Sequence, residues 1–282
     1  KTLKPQRLRS RRRDKMPRWK WLWAIVLAGL CVAIALAGAW FFLSRANEAP
    51  STTKIIVLSS VPLQWGEADI AAVAQGRGRP DPLIARLSQT GSVSFADSVA
   101  QIQAGRPDIA LLIQPRALSP DEMVRLDKWV RAGGRLLLFA DPAFQWPSEQ
   151  PIGDPDRPLF TSLLSPLFQY WGLELAFPMD AEGAVVAANL SDHDVKLASP
   201  GIWQAIEDAK GSANCRIDLG RYMAECRPGK GQAILVADAD MLEASMWQSA
   251  IPGVDTSDNM EWLIWAIGRL RAGERVVGHA GI

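Results

Sequence analysis

Hydrophobic positions fall along the chain in three patterns. The first is a run of 23 residues, 21–43, WLWAIVLAGLCVAIALAGAWFFL, that contains no charge. At about 1.5 Å per residue a helix of this length crosses a hydrocarbon core of roughly 30 Å. The second pattern is a series of short segments with apolar interiors, each opened by a polar or charged residue: 54–59, 108–114, 135–140 and 232–237. They read as strands of a parallel sheet covered on both faces. Between them stand segments with helical spacing. Pro82 opens a short helix over 81–87, a second follows at 98–104, and a brief strand is expected at 93–95. The clearest helix start is Ser119-Pro120-Asp121-Glu122, a capping box, followed by Met123, Leu126 and Val130 and closed by Gly133-Gly134.

Beyond residue 144 the pattern loosens. Residues 144–156 are rich in Pro and polar residues and predict a surface excursion. An amphipathic helix is expected over 159–171, closed by Gly172, then strands at 173–177 and 184–189 and a helix at 201–209. The chain ends with a helix at 259–270 whose apolar positions include Trp262, Trp265, Ile267 and Leu270. Alternation of strands and helices predicts an α/β domain with a mostly parallel sheet. The expected organisation is a basic tail over 1–20, a transmembrane helix over 21–43, a linker over 44–53, one globular domain over 54–271 and a tail over 272–282.

Charge decides the orientation of the apolar run. Ten of the 31 cationic residues and one of the 30 acidic residues lie in the first 20 positions, so the remaining chain has a net charge of −8. A cationic flank stays in the cytoplasm and sends the other end across the membrane. Trp21, Trp23 and Trp40 fall where indoles partition, at the two headgroup layers. A membrane-anchored protein with a cytoplasmic N-terminus and the remainder of the chain on the far side follows. A cleaved signal peptide is the competing reading, since Ala35-Leu36-Ala37 imitates a cleavage site, but the apolar run continues through Trp40 to Leu43. The basic tail is expected to touch anionic lipid headgroups, and an acidic outer portion does not seek nucleic acid.

Three cysteines bear on the compartment. Cys31 lies in the apolar run, whereas Cys215 and Cys226 bracket CRIDLGRYMAEC, a hairpin with Gly220-Arg221 at its turn. That register sets Cys215 facing Cys226, and a disulfide is favoured over two free buried thiols. A metal pair is disfavoured because no His or further Cys accompanies them.

Residues 108–142, DIALLIQPRALSPDEMVRLDKWVRAGGRLLLFADP, resemble the signature segment of gliding-motility-type ABC-transporter auxiliary proteins. A second resemblance lies in GKGQAILVADADML followed by DNMEWLIWAIGRL, and a third in LSDHDVKLASPGIW. The family's fold is similar to class I glutamine amidotransferases, which is flavodoxin-like. The resemblance implies a single-pass bacterial inner-membrane protein whose periplasmic domain has an auxiliary role beside an ABC-type transporter or another envelope membrane complex. No cofactor is expected. Class I amidotransferases carry a Cys on a strained strand-to-helix turn with a His and an acid. Here the equivalent strand end runs Phe139-Ala140-Asp141-Pro142, without a thiol, and the two His residues are His193 and His279. The resemblance therefore implies the scaffold without the catalysis.

Candidate site residues follow from position. Asp141, Asp238 and Asp240 fall just beyond strand C-termini, the rim where open α/β sheets bind ligands. They are suited to a cation or the polar end of a peptide, but capping of turns is the favoured reading for Asp at such places. No metal is expected there, nor at His193. Trp65 and Trp146 lie in loops flanking the rim, as interaction anchors or as half-buried packing. The expected function is protein binding through this rim. The alternatives are a periplasmic hydrolase or amidotransferase-like enzyme using Asp141, Asp238 or His193, and a binder of envelope peptide or saccharide.

Overall fold

A computed structural model describes residues 29–30, 52–66, 75, 78–154, 157–207, 209–211, 213–251 and 254–277. Most of the predicted membrane span, with Trp21, Trp23, Cys31 and Trp40, lies outside the described residues, as do the basic tail, nearly all of the linker, and His279. Among the described residues no helix is long and apolar enough to cross a membrane.

The domain is built on a seven-stranded sheet. Its first four strands are β1 (Thr53–Ser59), β2 (Gly91–Phe95), β3 (Ile109–Ile113) and β4 (Arg135–Phe139). Helices α1 (Pro82–Thr90), α2 (Val99–Gly105) and α3 (Pro120–Arg131) connect them. Then come α4 (Ser165–Trp171), β5 (Leu173–Ala176), β6 (Val185–Leu190), β7 (His193–Ala198), β8 (Ile202–Ala205), β9 (Arg216–Ile217), β10 (Met223–Cys226) and β11 (Gln232–Val236). Two helices, α5 (Ala244–Trp247) and α6 (Asn259–Ala272), close the order. The sheet runs β2-β1-β3-β4-β11-β10-β9. Its first five strands are mutually parallel, β10 runs antiparallel to them, and β9, antiparallel to β10, returns to the parallel direction. That parallel order is the flavodoxin-like one.

Two-residue alternation explains the layers. Ile55, Val57, Ile109, Leu111, Leu137, Phe139 and Ile234 point to one face, where α1, α6 and the β6–β7 hairpin cover them. Ile56, Leu58, Ala110, Leu112, Leu136, Leu138 and Leu235 point to the other, under α2, α3 and α4. The capping box predicted at Ser119 forms, with Glu122 N–H donating to Ser119 Oγ at 3.2 Å and Ser119 N–H to the Glu122 carboxylate at 3.1 Å.

Three local expectations change. The helix expected at 201–209 is the strand β8, because Trp203 is drawn into the core against Phe168 (rings 4.9 Å apart, edge-on) and β8 pairs with β5. The helix expected from 159 begins at Ser165, the preceding residues bracing the rim instead. In the Cys215–Cys226 hairpin the left-handed residue is Arg221 (φ 60°) rather than Gly220, the turn being held by Asp218, whose carboxylate accepts the N–H groups of Gly220 and Met223. Cys215 and Cys226 are disulfide-bonded. The packed unit also reaches past residue 271. Glu225, buried in β10, accepts the N–H groups of Val276 (2.8 Å) and Val277 (3.1 Å) and seats both in the core.

Candidate functional site

Parallel register brings the rim acids together. Phe139 of β4 pairs with Val236 of β11, so two residues further on each strand come Asp141 and Asp238, side by side at the carboxyl end of the sheet. Asp240 opens the 3-10 turn that follows, Asp240–Leu242. All three are buried, and each offers a carboxylate oxygen within 4.8 Å of the others. Among the described residues this is the set with a donor arrangement that a cation could use.

Most of these oxygens are already taken by backbone N–H groups. Asp141 accepts from Ala143 at 2.7 Å and from Ala239 at 3.0 Å. Asp238 accepts from Met241 at 3.0 Å and from Ala198, on the β6–β7 hairpin, at 2.6 Å. Asp240 accepts from Gln145 at 2.7 Å, while its other oxygen is buried with no hydrogen-bond partner. The three acids thus tie four segments: the β4 and β11 ends, the loop after Asp141 and the end of β7. Burial governs their protonation. Removal from water pushes Asp141 up to about 6 against the pull of its N–H donors. Burial and then the Asp141 charge push Asp240 up to about 8. Burial followed by the charges of both neighbours lifts Asp238 well above the carboxylate range. The cluster retains protons near neutrality, the cheaper solution when like charges share a dry site.

Three polar residues that the sequence analysis did not single out complete the rim. Gln114, directly after β3, is fully buried and left-handed (φ 37°). Its amide nitrogen donates to Leu159 O at 3.0 Å, and its amide oxygen accepts the Asp141 N–H at 3.0 Å. Ser199, also buried and left-handed, accepts from Gln145 Nε2 at 2.6 Å and from Gly183 N–H at 2.8 Å. Asn259, at the start of α6, bonds both backbone groups of Lys196 and donates to Met241 O at 2.7 Å. The signal for Asn259 was in the sequence, as a polar residue opening an otherwise apolar helix. Gln114 and Ser199 gave none, because left-handed backbone outside glycine follows from tertiary contacts.

The other candidates lie apart. Trp65 is exposed on the β1–α1 loop, and among the described residues no ring contact pairs it with Trp146. Trp146 is half-buried and stacks on Phe144, with ring centroids 6.2 Å apart. His193 bonds its own turn at Ser191 O (2.8 Å) and tilts against Trp265, without a hydrogen bond to the three aspartates. The strained strand end is therefore at Gln114 of β3 and not at Asp141 of β4. It carries an amide that is fixed on both sides, where a nucleophile would have to be free to attack.

Residues 51–179 match the family described as an ABC-type uncharacterized transport system. The auxiliary-family resemblance holds over that span. It supports an accessory role associated with a transporter complex. No curated protein matches the sequence. Among solved structures, the mmIFT52 N-terminal domain is similar at 10% identity, with 82% of this chain and 100% of that chain covered and a TM-score of 0.45. Exo-beta-1,4-mannosidase Op5Man5 from Opitutaceae bacterium strain TAV5 is similar at 14% identity and a TM-score of 0.40. The match covers 83% of this chain and 38% of the mannosidase. Cytoplasmic Protein STM3548 from Salmonella typhimurium is 11% identical at a TM-score of 0.41, with 78% and 97% covered. Likenesses at this level carry no argument about activity.

Proposed function

We propose that this is a single-pass bacterial inner-membrane protein whose periplasmic flavodoxin-like domain is a non-catalytic, protein-binding accessory subunit of an ABC-type transporter. The observation that carries the reading is the family match over residues 51–179. The rim supports it. Its acids are engaged in holding loops, its strained strand end bears the pinned Gln114, and its one described histidine stands elsewhere. The rim is thus a preformed, rigid surface, suited to recognising a partner without rearrangement. The 23-residue apolar span and the cationic flank supply the membrane anchor and its orientation.

The test is a detergent-solubilised co-purification of the full chain beside a version lacking residues 1–43. Recovery of transporter permease or ATPase subunits with both versions is the expected result and assigns recognition to the outer domain. Recovery with neither overturns the accessory role.

A further inference from the structure

The end of the sheet opposite the rim carries the reverse charge. In a parallel α/β domain the N-terminal ends of the strands share one edge with the C-terminal ends of the helices. On this edge stand Lys54, Arg106, Lys128, Arg135, Lys230 and Arg275, all exposed except the half-buried Arg135. Hydrogen bonds show the edge to be continuous. Lys54 N–H donates to the Asp108 carboxylate at 2.8 Å, Lys230 N–H to Arg131 O at 3.0 Å, Gln232 Nε2 to Glu274 O at 2.6 Å, and Arg271 Nη1 to Thr53 Oγ1 at 2.9 Å. Three of the acids here are paired locally: Asp127 with Arg131, Glu225 with Arg227, and Glu274 with Arg269.

Helix C-termini favour cations, which accounts for Lys128 in the last turn of α3 and for Arg106 at the cap of α2. It does not account for Lys54, Arg135, Lys230 and Arg275, which lie in strands and loops. The opposite end exposes Asp97, Asp121, Asp180 and Glu182, with Arg221 and with Arg116, which is paired to Glu122. The domain is a charge dipole on a globule that is acidic overall. An anionic surface is met most favourably by the basic edge.

We propose that the strand N-terminal edge is an electrostatic docking surface for anionic lipid headgroups, separate from the contact expected of the tail at 1–20. The inference rests on the membrane-anchored reading above. Thr53 opens β1 on this edge, so the chain arriving from the linker joins the domain there. A linker of about ten residues spans at most about 35 Å, a reach that allows the edge to meet the bilayer. Cations within a Debye length of about 8 Å then gain from anionic headgroups. Docking turns the acidic rim away from the bilayer, toward partners in the periplasm.

The experiment is amide hydrogen exchange on the full chain in lipid nanodiscs, phosphatidylglycerol against phosphatidylcholine. The expected result is exchange at residues 227–231 and 271–275 that is slower by roughly fivefold or more on the anionic discs, with the difference lost in high salt. The triple variant Arg135→Glu, Lys230→Glu, Arg275→Glu should lose it as well, while Arg125→Glu, Lys210→Glu, Arg221→Glu retains it. The lipid comparison on the unaltered chain keeps the test valid if the triple variant misfolds. Equal exchange on both lipids by a chain that stays in the discs overturns docking and leaves the anchor standing. A chain that fails to enter either disc overturns the anchor, and this inference with it.

Discussion

Gln114 and Asp141 hold each other's strand ends: the Gln114 amide oxygen accepts the Asp141 N–H at 3.0 Å, and its amide nitrogen lies 3.3 Å from Asp141 O as donor. The pair locks β3 to β4 at the point where both strands stop. Gln114→Ala leaves the buried Asp141 N–H and the part-buried Leu159 carbonyl without their side-chain partner. Stability should fall by about 1–3 kcal/mol, read as a lower urea midpoint in mild detergent.

The aspartate cluster predicts an unusual pH profile. An unfolded chain loses these protons near pH 4, whereas the folded chain keeps them on Asp141 to about 6 and on Asp240 to about 8. From about pH 4 to about pH 8 the folded state binds more protons, so stability falls as pH rises across that range. Asp240→Asn keeps an oxygen for the Gln145 N–H and removes the ionisation. It should flatten the profile by up to about 1.4 kcal/mol per pH unit. Denaturation midpoints compared from pH 5 to pH 8 check this, and an unchanged slope contradicts it.

The Cys215–Cys226 bridge closes a short loop, the two residues being 11 apart in sequence. Reduction, or Cys215→Ser with Cys226→Ser, should cost about 2–3 kcal/mol. The check is a paired thermal melt with and without reductant, together with a thiol count that rises by two on reduction.

Two glycines should respond oppositely to the same change. A methyl at Gly231 would meet Val130 O at 1.9 Å and Gly134 O at 2.6 Å, both backbone, so Gly231→Ala should destabilise by at least about 2 kcal/mol. Gly268, exposed in α6, has nothing within 4 Å. Gly268→Ala should stabilise by about 0.5–1 kcal/mol. Chemical denaturation of both variants beside the parent is the measurement.

Topology has a direct readout. An impermeant amine reagent applied to whole spheroplasts should modify Lys196, which stands on β7, and leave Lys15 untouched. Mass spectrometry of the tagged peptides decides it, and the reverse pattern would falsify the orientation.

Much of the sheet was legible because its strands are apolar along their length, and buried parallel strands have few other ways to read. The capping box at Ser119 and Glu122 fixed α3 for the same local reason. What escaped was set by contacts distant in sequence. Residues 202–205 became a strand because Trp203 fits against Phe168, and no periodicity within the segment announces that. At the rim, the three aspartates could be placed at strand ends from sequence, but their convergence needed the β4–β11 register. The contributions of Gln114 and Ser199 rest on left-handed backbone that only the assembled loops impose.

The disulfide has a further consequence at the border of the sheet. β9 is two residues long and covalently tied to its neighbour, so it offers a stray polypeptide almost no ladder to extend. The opposite border, β2, is five residues long and has no such clasp. Fibril-like stacking or strand exchange between copies, if provoked by partial unfolding, should start from the Gly91–Phe95 side.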